Sequence, residues 1–233
     1  MWYSQNKQEL EKELDKFLSP KLKSREVHGL IVPHAGYEFS GEIAGKAFSL
    51  LKKVKKEKAI IIAPSHYTSL KGILTSDKKE WYTPLGKISI FNEKFDEGDI
   101  EREHAIDNQI PFLQKLGFME ILPLMAGQIT DEQAKKIAEK ISKIDAIYIF
   151  STDLSHFLPY EQAITKDKET IKIIKKLDFQ NFSKIDACGF FPLLIFFHLG
   201  EIKNWKPQLI EYKNSGDITG EKSSVVGYTF FFF

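Results

Sequence analysis

The chain has 233 residues, 42% of them hydrophobic and 28% charged, which is typical of a globular protein built around a core. Its 33 Lys and Arg residues nearly balance its 32 Asp and Glu residues, so it lacks the basic excess of a nucleic-acid-binding protein. Since a single cysteine cannot form an intrachain disulfide and no apolar segment is long enough to cross a bilayer, we expect a cytoplasmic location with no nucleic acid or membrane partner.

Short apolar runs bounded by turn residues alternate along the chain with apolar residues at helical spacing. This alternation predicts an α/β fold, a single domain over 1–233 with a central mixed β-sheet flanked by helices. Residues 1–25 are expected to form an N-terminal helix that packs on it. The predicted elements, in chain order, are a helix (5–18), a strand (29–32), a helix capped by Ser40, a strand (58–63), a small antiparallel excursion (72–91), a helix (101–116), a strand (121–125), a helix (130–143), a strand (146–150), two helices (160–177 and 188–199) and two strands (207–212 and 224–233).

Caps and prolines define several of these boundaries. Thr130 and Gln133 form the pattern of a capping box at the start of a helix. Pro111 must kink or restart the helix in which it lies, whereas Pro192 falls in a first helical turn, where proline is tolerated. The final aromatic run, 230–233, would be an aggregation hazard if it were exposed, so we expect a covered core strand there.

Three polar motifs, each with a histidine, follow predicted buried strands. The carboxyl ends of strands in an open α/β sheet share one rim, where ligands bind, so these histidines can converge although they are far apart in sequence. Neutral imidazoles suit iron, copper and zinc, and the pattern therefore suggests a metal site. The motifs are Pro33-His34-Ala35-Gly36-Tyr37, Pro64-Ser65-His66-Tyr67 and Ser151-Thr152-Asp153-Leu154-Ser155-His156.

Cys188 is a further candidate ligand, because a thiolate tightens the fit for soft metal ions. It lies at the start of a predicted helix, where the helix dipole would lower the thiol pKa and favour the thiolate. The alternative interpretation is a small buried hydrophobic residue, and the residue pattern alone favours that alternative.

Asp153 and His156 are three residues apart, so both side chains can face one side of a turn. A carboxylate beside an imidazole fixes its tautomer and raises its pKa, which suits a general acid/base. The equally weighted alternative is that Asp153 caps a short helix. His104 follows Glu103 at the start of a predicted helix and could line the pocket or orient a ligand.

Taken in order along the chain, these motifs resemble those of the Memo family, also called AmmeMemoRadiSam system protein B. Each motif is short, but the ordered set is specific and extends from about residue 28 to the end of the chain. The segments that carry the resemblance are Pro33-His34-Ala35-Gly36-Tyr37 with Ser40-Gly41, Pro64-Ser65-His66, Thr83-Pro84-Leu85-Gly86, Glu103-His104 with Gln109-Ile110-Pro111-Phe112, Ser151-Thr152-Asp153-Leu154-Ser155-His156, Cys188-Gly189 and Tyr212-Lys213-Asn214-Ser215-Gly216-Asp217.

The resemblance implies a fold like that of the class III extradiol ring-cleaving dioxygenases, with a metal at one rim of a mixed sheet. It implies His34, His66 and Cys188 as the metal ligands, and iron or copper as the metal, with zinc as a further option. It places Asp153 and His156 beside the metal as catalytic residues, with His156 in the position of the acid/base histidine. It also implies a radical-SAM protein and an AMMECR1-type protein as partners.

Three functions are compatible with these residues. The first is a redox enzyme that acts on dioxygen or a small organic substrate, with His156 transferring protons. The second is a zinc hydrolase in which Asp153 or His156 is the base. The third is a non-catalytic module that binds a peptide or protein in the cleft. Tyr37, Ser65 and His104 are the expected substrate-binding residues. The aromatic residues expected to line the cleft are Tyr37, Tyr67 and Trp81.

Overall fold

Buried apolar runs form strands and amphipathic segments form helices in the computed structural model, which describes residues 2–20, 22 and 26–233. The helices are α1 (Lys7–Leu18), α2 (Tyr37–Ser49), α3 (His104–Asp107), α4 (Ile110–Lys115), α5 (Asp131–Ile141), α6 (Tyr160–Lys176), α7 (Phe190–Lys203) and α8 (Ser215–Thr219). The strands are β1 (Gly29–Val32), β2 (Lys58–Pro64), β3 (Ile73–Ser76), β4 (Glu80–Thr83), β5 (Gly86–Ile90), β6 (Glu97–Gly98), β7 (Glu120–Ala126), β8 (Ile147–Ser151), β9 (His156–Leu158), β10 (Gln208–Asn214) and β11 (Val225–Phe232). Two 3-10 helices cover Leu50–Lys53 and Phe179–Lys184.

The described residues form one mixed sheet of eleven strands. Its centre consists of four parallel strands in the spatial order β1, β8, β2 and β7. Antiparallel strands extend it on both sides, with β11 and β10 beyond β1 and with β3 beyond β7. Because the four central strands run in one direction, their carboxyl ends meet at one rim, which is where a ligand site is expected in this architecture.

Side chains of the central strands alternate between two hydrophobic cores, one on each face of the sheet. Leu30 and Ile61 join the core under α1, α2 and α4, whereas Ile31 and Ile60 join the core under α5, α6 and α7. Residues 230–233 supply alternate rings to both cores and are buried, as expected. The single-domain α/β fold with a mixed sheet flanked by helices is therefore confirmed, and it is consistent with a dioxygenase-like fold.

The N-terminal helix α1 packs on α2 at a face of small residues. A Cβ atom added at Gly45 would lie 2.4 Å from the Cβ of Phe17, and one at Gly41 would lie 2.7 Å from its ring. Two glycines on one face of α2 therefore allow the close approach of α1. Residues 1, 21 and 23–25 of the predicted N-terminal segment lie outside the part of the chain that the structure describes.

Two of the differences between the predicted and the observed helices concern a cap and a proline. Helix α2 begins at Tyr37, so Ser40 lies inside its first turn and donates its hydroxyl proton to the Ala35 carbonyl instead of capping the helix. The helix predicted over 101–116 is two helices, with Pro111 in the first turn of α4. The capping box at the start of α5 is confirmed.

Among residues 2–20, 22 and 26–233, none of the helices combines the length and the apolar character that a membrane span requires.

Candidate metal centre

The candidate centre lies at the rim formed by the carboxyl ends of the parallel strands. His34 follows β1, His66 follows β2, and Asp153 follows β8. Parallel pairing aligns the ends of these strands, with Val32 opposite Ser151. The imidazole rings of His34 and His66 consequently meet edge to face, with their centroids 5.1 Å apart.

Cys188 completes a group of three candidate ligands at this rim. One ligand atom each from His34, His66 and Cys188 lies within 4.8 Å of the other two. The Cys188 Sγ and His34 Nε2 atoms are 3.2 Å apart. Ligand bonds of about 2.3 Å to sulfur and about 2.0 Å to nitrogen separate two tetrahedral ligands by roughly 3.5 Å. The three side chains are therefore close enough to hold one ion.

The hydrogen bonds of Ser151 determine the tautomer of His34. The Ser151 hydroxyl donates to the Ala105 carbonyl at 2.7 Å and accepts from Gln109 Nε2 at 3.0 Å. Its only proton is thereby used, so its 2.8 Å contact with His34 Nδ1 requires the imidazole to be the donor. The Nε2 lone pair of His34 is therefore free, and it faces the sulfur of Cys188.

Glu103 fixes His66 in the same way. One carboxylate oxygen lies 2.8 Å from His66 Nδ1, and the other accepts from the His66 backbone N–H at 2.7 Å. A carboxylate only accepts hydrogen bonds, so the proton lies on Nδ1 and Nε2 is left as the ligand atom. Burial acts to raise the Glu103 pKa, but hydrogen bonds from His104, His66 and Ala105 hold it well below its usual range.

His66, Glu103 and His104 form a second group of candidate ligands whose atoms also lie within 4.8 Å of one another. The Nδ1 atom of His104 lies 3.2 Å from the same Glu103 oxygen that His66 contacts. These short contacts are explained by hydrogen bonds to a buried carboxylate, and His66 can serve only one ion through its free Nε2. We therefore conclude that Glu103 and His104 position His66 for the first group and do not form a second metal site.

Cys188 reaches the rim from the loop before α7. Next to it, a Cβ atom at position 189 would lie 2.4 Å from Thr152, so Gly189 allows the loop to pass close to β8. Burial raises the Cys188 pKa, and the neighbouring Asp153 carboxyl raises it further. The expectation that the helix dipole lowers this pKa is therefore wrong, because the cost of burying a thiolate outweighs the dipole. Binding of a cation would supply the missing stabilisation.

The Asp153 side chain supports His34 and has no hydrogen bond with His156. Its Oδ1 accepts from the His34 backbone N–H at 2.8 Å, and its Oδ2 lies 3.9 Å from His34 Nε2. Burial raises the pKa of Asp153 to about 7, against the lowering effect of the His34 N–H. The Asp153 residue thus takes neither of the two roles considered from sequence, since it neither caps a helix nor pairs with His156.

His156 begins β9 and lines the cleft above the rim. Burial lowers its pKa, and a hydrogen bond with the backbone of Leu154 partly opposes that effect. The same physical cause, burial, lowers the pKa of His34, and the neighbouring His66 and His104 add to it. Both effects favour neutral imidazoles, the form in which histidine binds a metal or accepts a proton.

The expected substrate-binding residues are not all placed in the cleft. His104 lines it and stacks on Trp2, with ring centroids 4.0 Å apart, while its Nδ1 lies 3.0 Å from the Tyr67 hydroxyl. Tyr37 is 5% exposed and donates its hydroxyl proton to the Asn108 carbonyl. Ser65 lies outside the cleft lining and bonds within its own loop, to Thr68.

Trp81 also lies away from the cleft. Its side chain is buried, and its indole N–H donates to Asp107 at 2.8 Å. The cleft has a volume of about 650 Å³, which falls in the range of small-molecule sites. It includes residues that sequence analysis missed. Phe157 had a sequence signal, since it follows His156 directly. The missed residues with the largest or charged side chains are Trp2, Glu38, Phe39, Phe157, Glu221 and Tyr228.

Comparison with known proteins gives a consistent result along the chain. The family model described as "Memo-like protein" matches residues 1–231. A MEMO1 family protein of Sulfurisphaera tokodaii is 34% identical over 226 residues, which cover 85% of this chain and 80% of the relative. MEMO1 family proteins of Sulfolobus acidocaldarius and Aeropyrum pernix are each 33% identical to this chain. Both alignments cover 85% of this chain, and they cover 79% of the Sulfolobus acidocaldarius protein and 80% of the Aeropyrum pernix protein.

Proposed function

The chain belongs to the Memo-like protein family, and from that premise we propose that it is a redox-active metalloprotein that acts on dioxygen or a small organic substrate. The observation that carries the proposal is the convergence of His34, His66 and Cys188, with both histidines fixed so that Nε2 is free. Two imidazoles and one thiolate suit iron or copper, and zinc is the less favoured alternative. We also propose a cytoplasmic location, where the single cysteine stays reduced.

In this proposal His34, His66 and Cys188 hold the ion. A redox-active ion in this position supplies electron transfer to a bound ligand. Ser151 and Glu103 keep the two imidazoles in the tautomer that binds a metal, and their hydrogen bonds prevent the rings from rotating. The protein thus arranges its ligand atoms before the ion arrives, which reduces the entropy lost on binding.

His156 is the proposed acid/base, and Asp153 is proposed to act beside it through His34. The imidazole of His156 borders the cleft and is favoured in its neutral form, so the ring nitrogen that does not bond Leu154 can accept a proton from a substrate hydroxyl. Asp153 holds the backbone of His34 and places its carboxyl group beside the ligand group. His104, stacked on Trp2, is proposed to orient the substrate above the rim.

Metal analysis tests the ligand assignment. Protein purified without added metal is expected to contain iron or copper in a stoichiometric amount, measured by elemental analysis. Cys188→Ser is expected to lower the metal affinity by at least about 100-fold, because it removes a direct ligand. His28→Gln serves as the matched control, since His28 stacks on Trp205 away from the rim. Full metal content in Cys188→Ser would exclude the proposed ligand set.

The role of His156 is tested separately. His156→Ala is expected to retain its metal and to lose substrate-dependent oxygen consumption by a factor of about 100 or more, the usual contribution of a general acid/base. Retained turnover would remove His156 from the mechanism. Activity of the apo-protein with zinc alone would support the hydrolase instead.

A non-catalytic binding module is the second candidate function. The observation that favours it is the pair of exposed aromatic side chains that line the cleft, Trp2 and Phe157. Tyr67, which is also exposed, is not part of the lining but contacts His104 through its hydroxyl. The partner types are those implied by the family resemblance, a radical-SAM protein and an AMMECR1-type protein. Capture of such a partner by protein stripped of metal, and by His34→Ala, would favour the binding module over the enzyme.

A further inference from the structure

Phe157 has a backbone conformation that is unfavourable for a bulky residue. Its φ angle is +60°, in the left-handed region that glycine usually occupies. In the pairing of β9 with β11, His156 lies opposite Val226 and Leu158 lies opposite Val225, so Phe157 is the extra residue of a β-bulge. Bulges beside functional sites redirect a side chain, and strained residues cluster at such sites.

Burial of the Phe157 side chain does not offset the strain of its backbone. It is 75% exposed and lines the cleft next to His156. The Phe157 ring contacts the His156 ring, with centroids 5.7 Å apart, but most of it stays exposed despite the strain, which contact with a ligand explains best. Trp2 is also exposed at this cleft, where it stacks on His104.

The side chains of the cleft that could select a ligand by charge are the carboxylates of Glu38 and Glu221. Among the described residues that line it, Glu38, Asp153 and Glu221 are acidic and none is lysine or arginine. Two nearby lysines have partners outside the cleft lining. Lys213 pairs with Glu42 and Glu211, and the Lys222 ammonium lies 4.3 Å from the centre of the Tyr160 ring.

Carboxylates and exposed aromatic rings together recognise one class of ligand. The faces of aromatic rings attract cations, and carboxylates at the rim attract cations and repel anions. A volume of about 650 Å³ fits a small molecule with an aromatic body. An anionic ligand would have to approach Glu38 and Glu221 with no lysine or arginine of the described lining to pair with it.

We propose that the cleft binds a small organic cation with an aromatic body, contacted by Phe157 and Trp2 and selected for positive charge by Glu38 and Glu221. The proposal rests on the proposed function, because it names the class of organic substrate that reaches the same rim. It assigns Phe157 a substrate-binding role, and the strained conformation of its backbone is the structural cost of that role.

Three probes of similar shape test the charge selection, namely phenethylamine, phenethyl alcohol and hydrocinnamate, which are cationic, neutral and anionic. Their dissociation constants for the metal-containing protein can be measured by ligand-observed NMR titration, in the millimolar range expected for such small ligands. Phenethylamine is expected to bind at least about tenfold more tightly than hydrocinnamate. The double variant Glu38→Gln with Glu221→Gln is expected to remove most of this preference, whereas Glu57→Gln, an exposed glutamate before β2, should leave it unchanged.

A substitution at Phe157 separates ligand binding from stability. Phe157→Asn is expected to raise the melting temperature by about 3 °C, because asparagine tolerates the left-handed region. It is also expected to weaken the binding of phenethylamine and of phenethyl alcohol by about fivefold each, because the aromatic contact is lost. Lys94→Asn is the matched control, since Lys94 is exposed, has a φ angle of 59° and does not line the cleft. It should raise the melting temperature similarly and leave probe binding unchanged.

Three results would overturn the proposal. Hydrocinnamate could bind as tightly as phenethylamine, phenethylamine could fail to bind at about 10 mM, a concentration that saturates even a weak ligand, or Phe157→Asn could bind the probes as the unmodified protein does. Elemental analysis of the same samples distinguishes the two proposals. A metal-containing protein with no cation preference contradicts this inference alone, whereas a protein that binds no metal contradicts the proposed function.

Discussion

Glu103 shows how a single residue prepares the candidate metal centre. It is buried, it accepts hydrogen bonds from both the imidazole and the backbone of His66, and it also accepts from the Ala105 N–H at the start of α3. One carboxylate thus fixes the position of a ligand and begins the helix that carries His104. Ser151 plays the equivalent part for His34. The two hydrogen bonds explain why both rings present the same nitrogen.

Replacement of Glu103 by glutamine should weaken metal binding. In Glu103→Gln the neutral amide accepts more weakly from His66 Nδ1, and its NH2 group faces the His66 backbone N–H without an acceptor. We expect the metal affinity to fall by roughly 10- to 100-fold, measured by competition with a chelator. Glu201→Gln, an exposed change on α7, is the control. An unchanged affinity in Glu103→Gln would show that the carboxylate does not hold the ligand.

Asp167 gives a pH-dependent contribution to stability at a distance from the ligands. It is fully buried, accepts from the Ser155 N–H and the Tyr212 hydroxyl, and burial raises its pKa above 3.8, with Asp186 adding to the shift. The folded state therefore holds this proton more tightly than the unfolded state does. The contribution is fully present below pH 3.8, and it is lost as the pH rises through the raised pKa of the folded protein.

Urea unfolding at several pH values tests this prediction. The quantity to compare is the difference in the free energy of unfolding between the unmodified protein and Asp167→Asn. This difference, unmodified minus variant, should decrease as the pH rises from about 3.8 through the raised pKa, because only the aspartate loses its proton. A difference that stays constant, or that increases with pH, would contradict the assignment of the raised pKa to Asp167.

At the residue scale, sequence analysis could identify ligand candidates but not their supports. His34 and His66 were recognisable because each follows a buried strand, and Cys188 was assigned to the site only through the family resemblance. The left-handed backbone of Phe157 and the stacking of Trp2 on His104 depend on contacts with distant residues, so no local pattern signals them. Tyr37 was expected in the cleft, but its ring packs among aromatic residues of the core.

Helix α1 and helix α2 show how element packing reaches the cleft. The glycine face of α2 brings α1 close, and the residues just before α1 cross the start of α2, where the Tyr37 N–H donates to the Trp2 carbonyl at 2.8 Å. The position of α1 thereby determines where Trp2 lies. The helix pair is thus a support of the cleft as well as a part of the core.

A methyl group on the glycine face should disturb this packing. In Gly45→Ala the new Cβ would lie 2.4 Å from the Phe17 Cβ and 2.6 Å from its carbonyl oxygen, so α1 must shift. We expect a loss of about 1–3 kcal/mol in the free energy of unfolding, measured by urea denaturation. Glu42→Ala on the exposed side of α2 should change it by no more than about 0.5 kcal/mol. Equal stability of both variants would mean that the helices are not closely packed.

At the element scale, the success of sequence analysis followed the strength of the local signal. Strands β1, β2, β7 and β8 are continuous apolar runs buried on both faces, and their predicted bounds differ from the structure by one residue at most. Strand β9 and helix α8 were missed. Both are short, and both are stabilised by contact with β11, which is distant in sequence from β9. Tertiary contacts rather than local propensity form them.

The whole molecule ties the candidate ligands to separate parts of the fold. His34 follows β1, His66 follows β2 and Cys188 precedes α7, so one ion would connect three segments. Anything that binds the folded state alone stabilises it by mass action. Metal binding should therefore act on the stability of the complete fold.

Thermal unfolding with and without metal tests this coupling. At a free metal concentration of about 100 times the dissociation constant, the stabilisation is about 2.7 kcal/mol, which corresponds to a rise of roughly 5–10 °C in melting temperature for a chain of this size. A chelator should reverse the rise, and Cys188→Ser should not show it. A rise of equal size in Cys188→Ser would place the bound ion elsewhere.

The fold class could be predicted from the alternation of strands and helices, but the strand order could not. The central position of β1, between β8 and β11, depends on pairings with strands more than a hundred residues away. Apolar runs of similar composition do not specify their neighbours. The convergence of the histidines could be expected because the carboxyl ends of parallel strands share one rim. The position of Cys188 near them could not be predicted without the complete topology.

The placement of β1 beside β11 has a consequence for the newly synthesised chain. A ribosome produces β1 before most of the other described elements, whereas its neighbour β11 follows all of them, and Cys188 is 154 residues away from His34. Segments made first must wait for distant partners, which slows folding and leaves intermediates exposed. His34 and His66 are therefore synthesised well before Cys188, and the proposed three-ligand centre can form only after the ribosome has made residue 188.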